Sequence, residues 1–483
     1  RAVKIVAVSH CWLGKTHPDA NGNHLLSAIA PIVEQWLGYY GKEFSWDIAI
    51  FLDWCSLPQE PRTAQEERMF RHALEHVHLW YAHQCTDVWL LTKVPEGKCE
   101  RRTPFSQRGW PTFERAAGHM NPHGSNMLDL GLMRPKTCTS WEATEMVCTV
   151  GRRPPLTPEA FFEELEDKVF SDLDDVSIVC RAYERTFADM MASVEALFLQ
   201  DLQWPTAKIM HFTRALPLCR CLKSLYLGCN GISNRGAQLL ADVLPQCSSL
   251  TALELDDNRI GEAGIVPLAA ALAKCTFLDR LNLDNNLAGD VGASALGGTV
   301  AACHFLTHLL LNSNHIGPEG VVALARHMSA SSSLEKISVC SNGICDDGAA
   351  ELMSAASKCS RLRHVLLDGV GIGDAGGCAL AEHMVKCKYL ITLSLRHNDL
   401  ADAAVAALEE AIGGCTHLQL LALSGNRITK EGEQRLTNAW CKDARKKPSG
   451  LRLSESTSVA AAWSRNRHIH ESVMISDINV ERY

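Results

Sequence analysis

Two apolar runs near the start of the chain end in residues that can engage a ligand. Val3 to Val8 (VKIVAV) runs into Ser9-His10-Cys11-Trp12, and Ile48 to Trp54 (IAIFLDW) carries Asp53 at its end. Short apolar runs bounded by breakers read as buried strands. Open α/β sheets hold ligands beyond the carboxyl ends of such strands, which is where Ser9, His10, Asp53 and Trp54 belong. Two other stretches carry the spacing of known chemistries. Gly14-Lys15-Thr16 follows a strand like the end of a phosphate-binding loop, but the first glycine of GxxxxGK[ST] falls on Ser9, Trp12 and Leu13 are bulky, and Pro18 opposes the helix that must follow. His72-Ala73-Leu74-Glu75-His76 has the H-x-x-E-H form of zinc peptidases, with both imidazoles on one helix face. No third ligand is evident, and with His78 and His83 close by, a solvated helix face accounts for the stretch, so no metal is expected.

The elements that must hold these residues follow from periodicity. Leu25, Leu26, Ile29, Val33, Trp36 and Leu37 have helical spacing, with Pro31 expected to kink or start that helix. Thr63-Ala64-Gln65-Glu66 has the form of a capping box, opening a helix whose apolar side is Phe70, Ala73, Leu74, Val77 and Trp80. Asp87 to Leu91 (DVWLL) is a third strand. Strands alternating with helices imply a parallel sheet covered on both faces, so residues 1–120 form an α/β domain.

Three blocks in this domain, IVAVSHCWLG (Ile5 to Gly14), FLDWCSLPQ (Phe51 to Gln59) and RGWPTFE (Arg108 to Glu114), make it resemble the heterokaryon-incompatibility domain, a relative of the flavodoxin-like Toll/interleukin-receptor (TIR) signalling fold. In TIR enzymes that cleave nicotinamide from NAD, the glutamate of a W-C-x-x-E signature acts on the substrate. Here Trp110-Pro111-Thr112-Phe113-Glu114 keeps the tryptophan and glutamate and has proline in the cysteine slot. The resemblance implies NAD as a possible substrate, Glu114 as the acting carboxylate with Trp110 near it, and self-association through this domain; the strand ends bring Ser9, His10 and Asp53 to the same place, and no cofactor is required. A carboxylate suits that reaction, because nicotinamide departure builds positive charge on the ribose. Set against this, Trp110 could pack in a core and Glu114 could be an ordinary residue of a helix's first turn.

From Leu222 to Leu423 the chain repeats itself eight times. Leu222, Leu250, Leu278, Leu306, Leu334, Leu362, Leu390 and Leu418 each open an LxxLxLxxNxI segment, at intervals of 28 residues (250 − 222). The LxLxx part has the period of a strand with one buried face, and a stretch such as GAQLLADVL after it has the period of a helix. The pattern resembles the leucine-rich repeat, and its unit length and helical half resemble the ribonuclease-inhibitor subclass, implying an α/β horseshoe over residues 191–455. Its asparagine slot reads Asn230, Asn258, Asn286, Asn314, Asn342, Val370, Asn398 and Asn426. A carboxamide there can serve turn backbone groups that burial would leave without partners. Repeat six lacks it and is rich in glycine, so the coil at 368–377 is expected to be the loosest. Cysteines recur three residues before the first leucine (Cys219, Cys247, Cys275, Cys303, Cys359, Cys387, Cys415), with Ser331 in the gap. Small buried residues at the helix-to-strand corner explain them better than a redox ladder.

Twenty cysteines without a disulfide pattern point to a reducing, cytoplasmic compartment. A net charge of −8 argues against a nucleic-acid partner, and no apolar run approaches the roughly 18 residues that cross a bilayer. The chain begins at Arg1 close to a strand, which reads as a fragment. Residues 121–190 read as an irregular linker (Arg152-Arg153-Pro154-Pro155) followed by helices from about Pro158 and Val176 that cap the array, and 456–483 as a flexible tail. Val194 begins a degenerate first repeat, with Leu202 in the asparagine slot, and Leu451 to Leu453 a last strand. On the concave face, Glu254, Asp256, Asp257, Asp279 and Asp284, with Tyr226, would meet a basic protein partner, whereas Lys336, Arg363, His364, Arg396 and His397 lie further along. Two functions fit: a sensor and effector pair of the innate-immunity kind, whose repeats recognise a protein while the first domain signals by NAD cleavage, or a non-catalytic scaffold or inhibitor. A GTPase-activating protein is a third, supported by no particular arginine. A nucleotide-binding switch domain, usual between effector and repeats, has no room here.

Overall fold

The computed structural model describes residues 3–11, 19, 24–41, 45–58, 61–83, 85–93, 103–121, 127–134, 136–443 and 445–454. The Gly14-Lys15-Thr16 loop, the tail from 456, and the side chains of Trp54 and Glu75 lie outside them. The chain divides into two compact units, residues 1–231 with 242–250, and residues 232–241 with 251–483.

The first unit opens with β1 (Val3–His10), α1 (His24–Trp36), β2 (Asp47–Phe51), α2 (Asp53–Ser56), α3 (Ala64–Glu75), α4 (His78–Ala82), β3 (Thr86–Leu91), α5 (Gly109–His119) and β4 (Met127–Asp129). The four strands are parallel in the order β2-β1-β3-β4. β1 is central, and its last five residues are buried. Val6, Val8, Trp89, Leu91 and Leu128 of the sheet pack with Ile29, Ile32 and Trp36 of α1. Thr63 and Glu66 form the capping box that opens α3. Three details depart from the sequence reading. The helix from Thr63 ends at Glu75, and α4 starts afresh at His78. Pro31 lies inside α1, which continues past it to Trp36. β2 stops at Phe51, where its pairing with β1 ends, so Asp53 and Trp54 belong to α2.

After β4 come α6 (Trp141–Cys148), α7 (Pro158–Leu165), α8 (Asp174–Ser193) and β5 (Ala196–Phe198). The stretch expected as a linker is instead a buried clasp. Arg152 donates from Nε to the carbonyl of His119 (2.9 Å) and from Nη1 to that of Phe198 (3.0 Å), and its own carbonyl accepts the Trp204 indole N–H (2.9 Å). Arg152, Pro154 and Pro155 are all buried. α8 buries Val179, Tyr183, Phe187 and Met191, and Met191 Sδ accepts the Cys219 thiol at 3.5 Å, so this helix covers the start of the repeats.

The repeat strands are β5 and β6 (Ser224–Tyr226) in the first unit, then β7 (Ala252–Glu254), β8 (Arg280–Asn282), β9 (His308–Leu310), β10 (Lys336–Ser338), β11 (His364–Leu366), β12 (Thr392–Ser394), β13 (Leu420–Ala422) and β14 (Leu451–Arg452). β5 and β6 pair in parallel within the first unit, and β7 to β14 pair in parallel in chain order within the second. Each strand ends in a sharp corner. The residue just before the asparagine slot has positive φ in all eight repeats, from Cys229 (56°) and Asp257 (52°) to Gly369 (62°) and Gly425 (76°). That conformation costs a residue with a Cβ and nothing for glycine. The asparagines then close the corner. Asn258 Oδ1 accepts Ile232 N–H at 2.8 Å, and Asn258 Nδ2 donates to Leu255 O at 2.9 Å. Asn314 Nδ2 reaches back to Leu283 O at 2.8 Å. The corner cysteines are buried and protonated: burial pushes the Cys275 and Cys415 thiols up to about 11 and the Cys387 thiol to about 12. Cys415 Sγ donates to Ala411 O. Among the described residues no cysteine is in a disulfide.

Repeat six keeps its own bonds. Val370 is fully buried, its N–H goes to Asn398 Oδ1 (3.0 Å), and Asp368 Oδ1 accepts from Ser394 Oγ and Arg396 N. The expected loosening at 368–377 therefore finds no counterpart in broken bonds of that coil. What a valine withholds is the acceptor that Asn398 gives Ile372 N (3.1 Å), and by the 28-residue period this falls on the coil before, at Ile344. Asn314→Val should lower stability by about 2–3 kcal/mol by stranding buried amides and carbonyls. Val370→Asn should raise the urea midpoint. An unchanged midpoint in both would contradict the role given to the carboxamides.

Candidate functional site

Ser9 and His10 are the last residues of β1, in register with Leu90 and Leu91 of β3. The site lies where β1 is flanked by β2 on one side and β3 on the other, the place at which an open parallel sheet leaves a crevice. α5 crosses this end of the sheet. Gly118 lets it approach closely, since a Cβ there would come within 2.6 Å of Met127 Cε. Glu114, one turn earlier, is 7% exposed and points at β1, with Ser9 Oγ donating to its Oε2 at 2.5 Å. The Tyr81 hydroxyl, from α4, donates to the same carboxyl. Asp53, at the start of α2, sets Oδ1 3.5 Å from His10 Nε2. The fold thus gathers Ser9, His10, Asp53 and Glu114 from three separate segments, together with Tyr81.

Burial is the main influence on Glu114, and the negative charge of Asp53 adds to it, while the bonds from Ser9 and Tyr81 act the other way. The net result lifts its pKa to about 8. Tyr81 is pushed well above the usual phenol range, chiefly by burial and then by Glu114 and Asp53. At neutral pH Glu114 is therefore mostly a carboxylic acid, able to release a proton when a cationic group comes near.

Trp110 departs from the expected cluster. Its indole N–H donates to Asp175 Oδ2 at 2.9 Å, and its ring meets Phe113 edge to face. It shares a helix face with Glu114, but a side chain in the first turn leans toward the helix N-terminus, which carries the indole away from β1 to α8. Glu114, for its part, lies in the second turn and is buried, unlike an ordinary first-turn glutamate. His76 of the H-x-x-E-H stretch sets Nδ1 2.8 Å from the carbonyl of His72.

In the second unit the acidic residues separate by row. Glu254, Asp256 and Asp284 influence one another on the strand-end side, where burial first and neighbouring carboxylates second raise Asp256 to about 6. Arg280 Nη1 is 3.8 Å from Glu254. Asp257 is the left-handed corner residue. Asp284 is buried and serves the next coil, accepting from Asn312 N at 2.6 Å and Nδ2 at 3.1 Å. Asp279 precedes its strand and accepts from Thr307 Oγ1. Tyr226 belongs to the first unit, stacked on Phe198 at 4.8 Å.

Two features escaped sequence reasoning. Tyr81 carries no motif that ties it to Glu114. A second ladder runs two residues before the asparagine slot, where Asn312 Oδ1 accepts from Ser338 Oγ and Cys340 N, and Asp368 does the same for Ser394 and Arg396. Its signal was present as a polar position of period 28: Asp256, Asp284, Asn312, Cys340, Asp368, Arg396 and Ser424.

Comparison with known proteins bears on the repeats. A family model described as leucine-rich repeat matches residues 218–241, 246–269, 302–325, 386–408 and 414–433. The repeats are leucine-rich repeats. No curated protein matches the chain. Among solved structures, a Bacteroides fragilis protein is 13% identical with a TM-score of 0.30, over 50% of this chain and 66% of that one. An octameric complex of latrophilin 3, Unc5D and FLRT2 (LRR) contains a chain 21% identical, TM-score 0.30, over 45% of this chain and 73% of that one.

Because the folded-state pKa of Glu114 is about 8 against an ordinary 4.5, its contribution to stability is full below pH 4.5 and is lost as pH rises to 8. The whole loss is at most about 5 kcal/mol. Glu114→Gln should match the parent within about 1 kcal/mol at pH 5 and exceed it by more than about 2 kcal/mol at pH 8.5 in urea titrations. Parallel stability profiles would show that Glu114 is not held protonated.

Proposed function

We propose that the leucine-rich repeats bind a protein partner through their strand face, and that the α/β part of the first unit is an effector that hydrolyses the nicotinamide–ribose bond of NAD. The convergence of Glu114, Ser9, His10 and Asp53 at the end of the central strand carries the second half of this reading. Glu114 is the residue that the resemblance to the TIR family singles out, Ser9, His10 and Asp53 are those that the strand ends place beside it, and Ser9 donating to Glu114 ties two of the three sequence blocks together. Protein binding rests on the repeats themselves, whose strand face offers half-buried Asp256 and exposed Asp257 to a basic partner, while Glu254 is buried beside Arg280 and is not available to it. Action in a reducing compartment, and self-association through the α/β part, belong to the same proposal. Among the described residues no helix is long and apolar enough to cross a membrane.

In the reaction the C1′–N bond breaks, nicotinamide leaves with the electron pair, and water adds at C1′ and loses a proton. Glu114 in its ionised form stabilises the positive charge that grows on the ribose. The cationic nicotinamide ring itself favours that form on binding, since a nearby positive charge lowers a carboxyl pKa. Asp53 and His10, closer to solvent than Glu114 on the Asp53 side, are placed to orient ribose hydroxyls or to receive the proton. Trp110, held by Asp175, has no part in this.

One observation favours a non-catalytic scaffold: Ser9 is fully buried and Glu114 nearly so, with Tyr81 packed against them, as in a core polar network. The assay that separates the two readings is NAD loss and nicotinamide release by purified protein at high concentration, across pH 6 to 9. Turnover that rises toward pH 8 and disappears in Glu114→Gln supports the effector. A folded, assembled protein with no turnover at any pH leaves the scaffold.

A further inference from the structure

α5 carries a second polar face, turned away from Glu114. Arg115 and His119, one turn apart, look onto a cleft of about 100 Å³ in the first unit that is also lined by Arg153, Glu164, Lys168 and Tyr183. Three cations therefore meet one carboxylate, and that carboxylate is already engaged, with Glu164 Oε1 3.4 Å from Arg153 Nη1. Arg115 Nε is buried without a hydrogen-bond partner among the described residues. His119 is 4% exposed, and its Nδ1 accepts the Arg153 backbone N–H at 3.3 Å. Its proton thus sits on Nε2, which is also buried and without a partner. Lys168 Nζ holds the Ser106 carbonyl at 3.0 Å with donors to spare.

This is a concentration of donors and positive charge that lacks acceptors. Burial first, and then Arg115, Arg153, Arg152 and Lys208, drive the His119 pKa well down, which keeps the ring neutral and its Nε2 a donor. Burial and then the charge of Arg153 lower Arg115 as well, against the pull of Glu164 and of Asp129, which lies outside the cleft lining. Like charges held together at such cost, with unpaired N–H groups between them, are what an oxyanion relieves. A cleft of this volume exceeds the roughly 10–15 Å³ that one water needs and accommodates a tetrahedral oxyanion.

We propose that this cleft binds a phosphoryl group carried by a small molecule, with Arg115 and Lys168 as charged ligands and His119 Nε2 as a neutral donor. The site is independent of the NAD reading, because Glu114 faces the other way and shares none of these residues. The test is calorimetric titration of the full chain with inorganic phosphate and with pyrophosphate, at constant ionic strength set with chloride. Saturable binding is expected, weakened at least about tenfold in Arg115→Gln and in Lys168→Gln. Without phosphate, both variants should melt at the same temperature as the parent or higher, since each relieves repulsion; Lys168, at the rim, guards against a folding defect in Arg115→Gln. The proposal is overturned if neither anion gives saturable heat, if chloride competes equally, or if folded variants bind as the parent does.

Discussion

A buried peptide group that cannot reach water must find a partner in the protein, and in the repeat array this requirement recurs at every corner. The strands are at most three residues long, so ladder bonds cover little of each coil. The chain then bends through a left-handed residue and exposes amides to the interior. The carboxamide of the next residue answers with an acceptor and two donors at once, as Asn258, Asn314 and Asn398 do. A second polar ladder from Asp284 through Asn312 to Cys340 does similar work on the strand side. Leucine packing supplies the drive to collapse, but the amides decide how the coils stack.

The first unit handles desolvation differently. It buries ionisable groups on both faces of α5, a carboxyl against β1 and cations against the clasp at Arg152. Neither group lies in a regular ladder, and both are shifted toward neutrality, Glu114 up to about 8 and Arg152 down to about 9. A buried arginine that holds the carbonyls of His119 and Phe198 satisfies backbone that no strand reaches. Groups kept at such cost are where binding or catalysis is commonly found, although structural networks do the same.

The two halves were legible to different degrees. In the repeats, period, strand and asparagine slot could all be read from residue spacing, because the contacts between neighbouring coils recur at separations close to 28 residues. In the α/β part the strand ends placed Ser9 and Asp53 together, the resemblance added Glu114, and the strand order was not legible. Tyr81 was not legible at all, since a tyrosine in an apolar helix looks like core until the helix is placed against β1. Arg152 and Arg153 beside two prolines look like a linker for the same reason: composition records polarity, not the carbonyls within reach.

Sequence alone determined what is local and periodic, namely the coil length, the apolar stripes, the asparagine slot and the parallel sheets that alternating strands and helices demand. Tertiary structure decided the direction of each functional side chain. Trp110 and Glu114 share a helix face, yet one reaches α8 and the other β1, because the first-turn side chain leans past the helix end. It also decided which ionisable groups stay charged, since desolvation depends on everything packed around a group and is written at no single position of the chain.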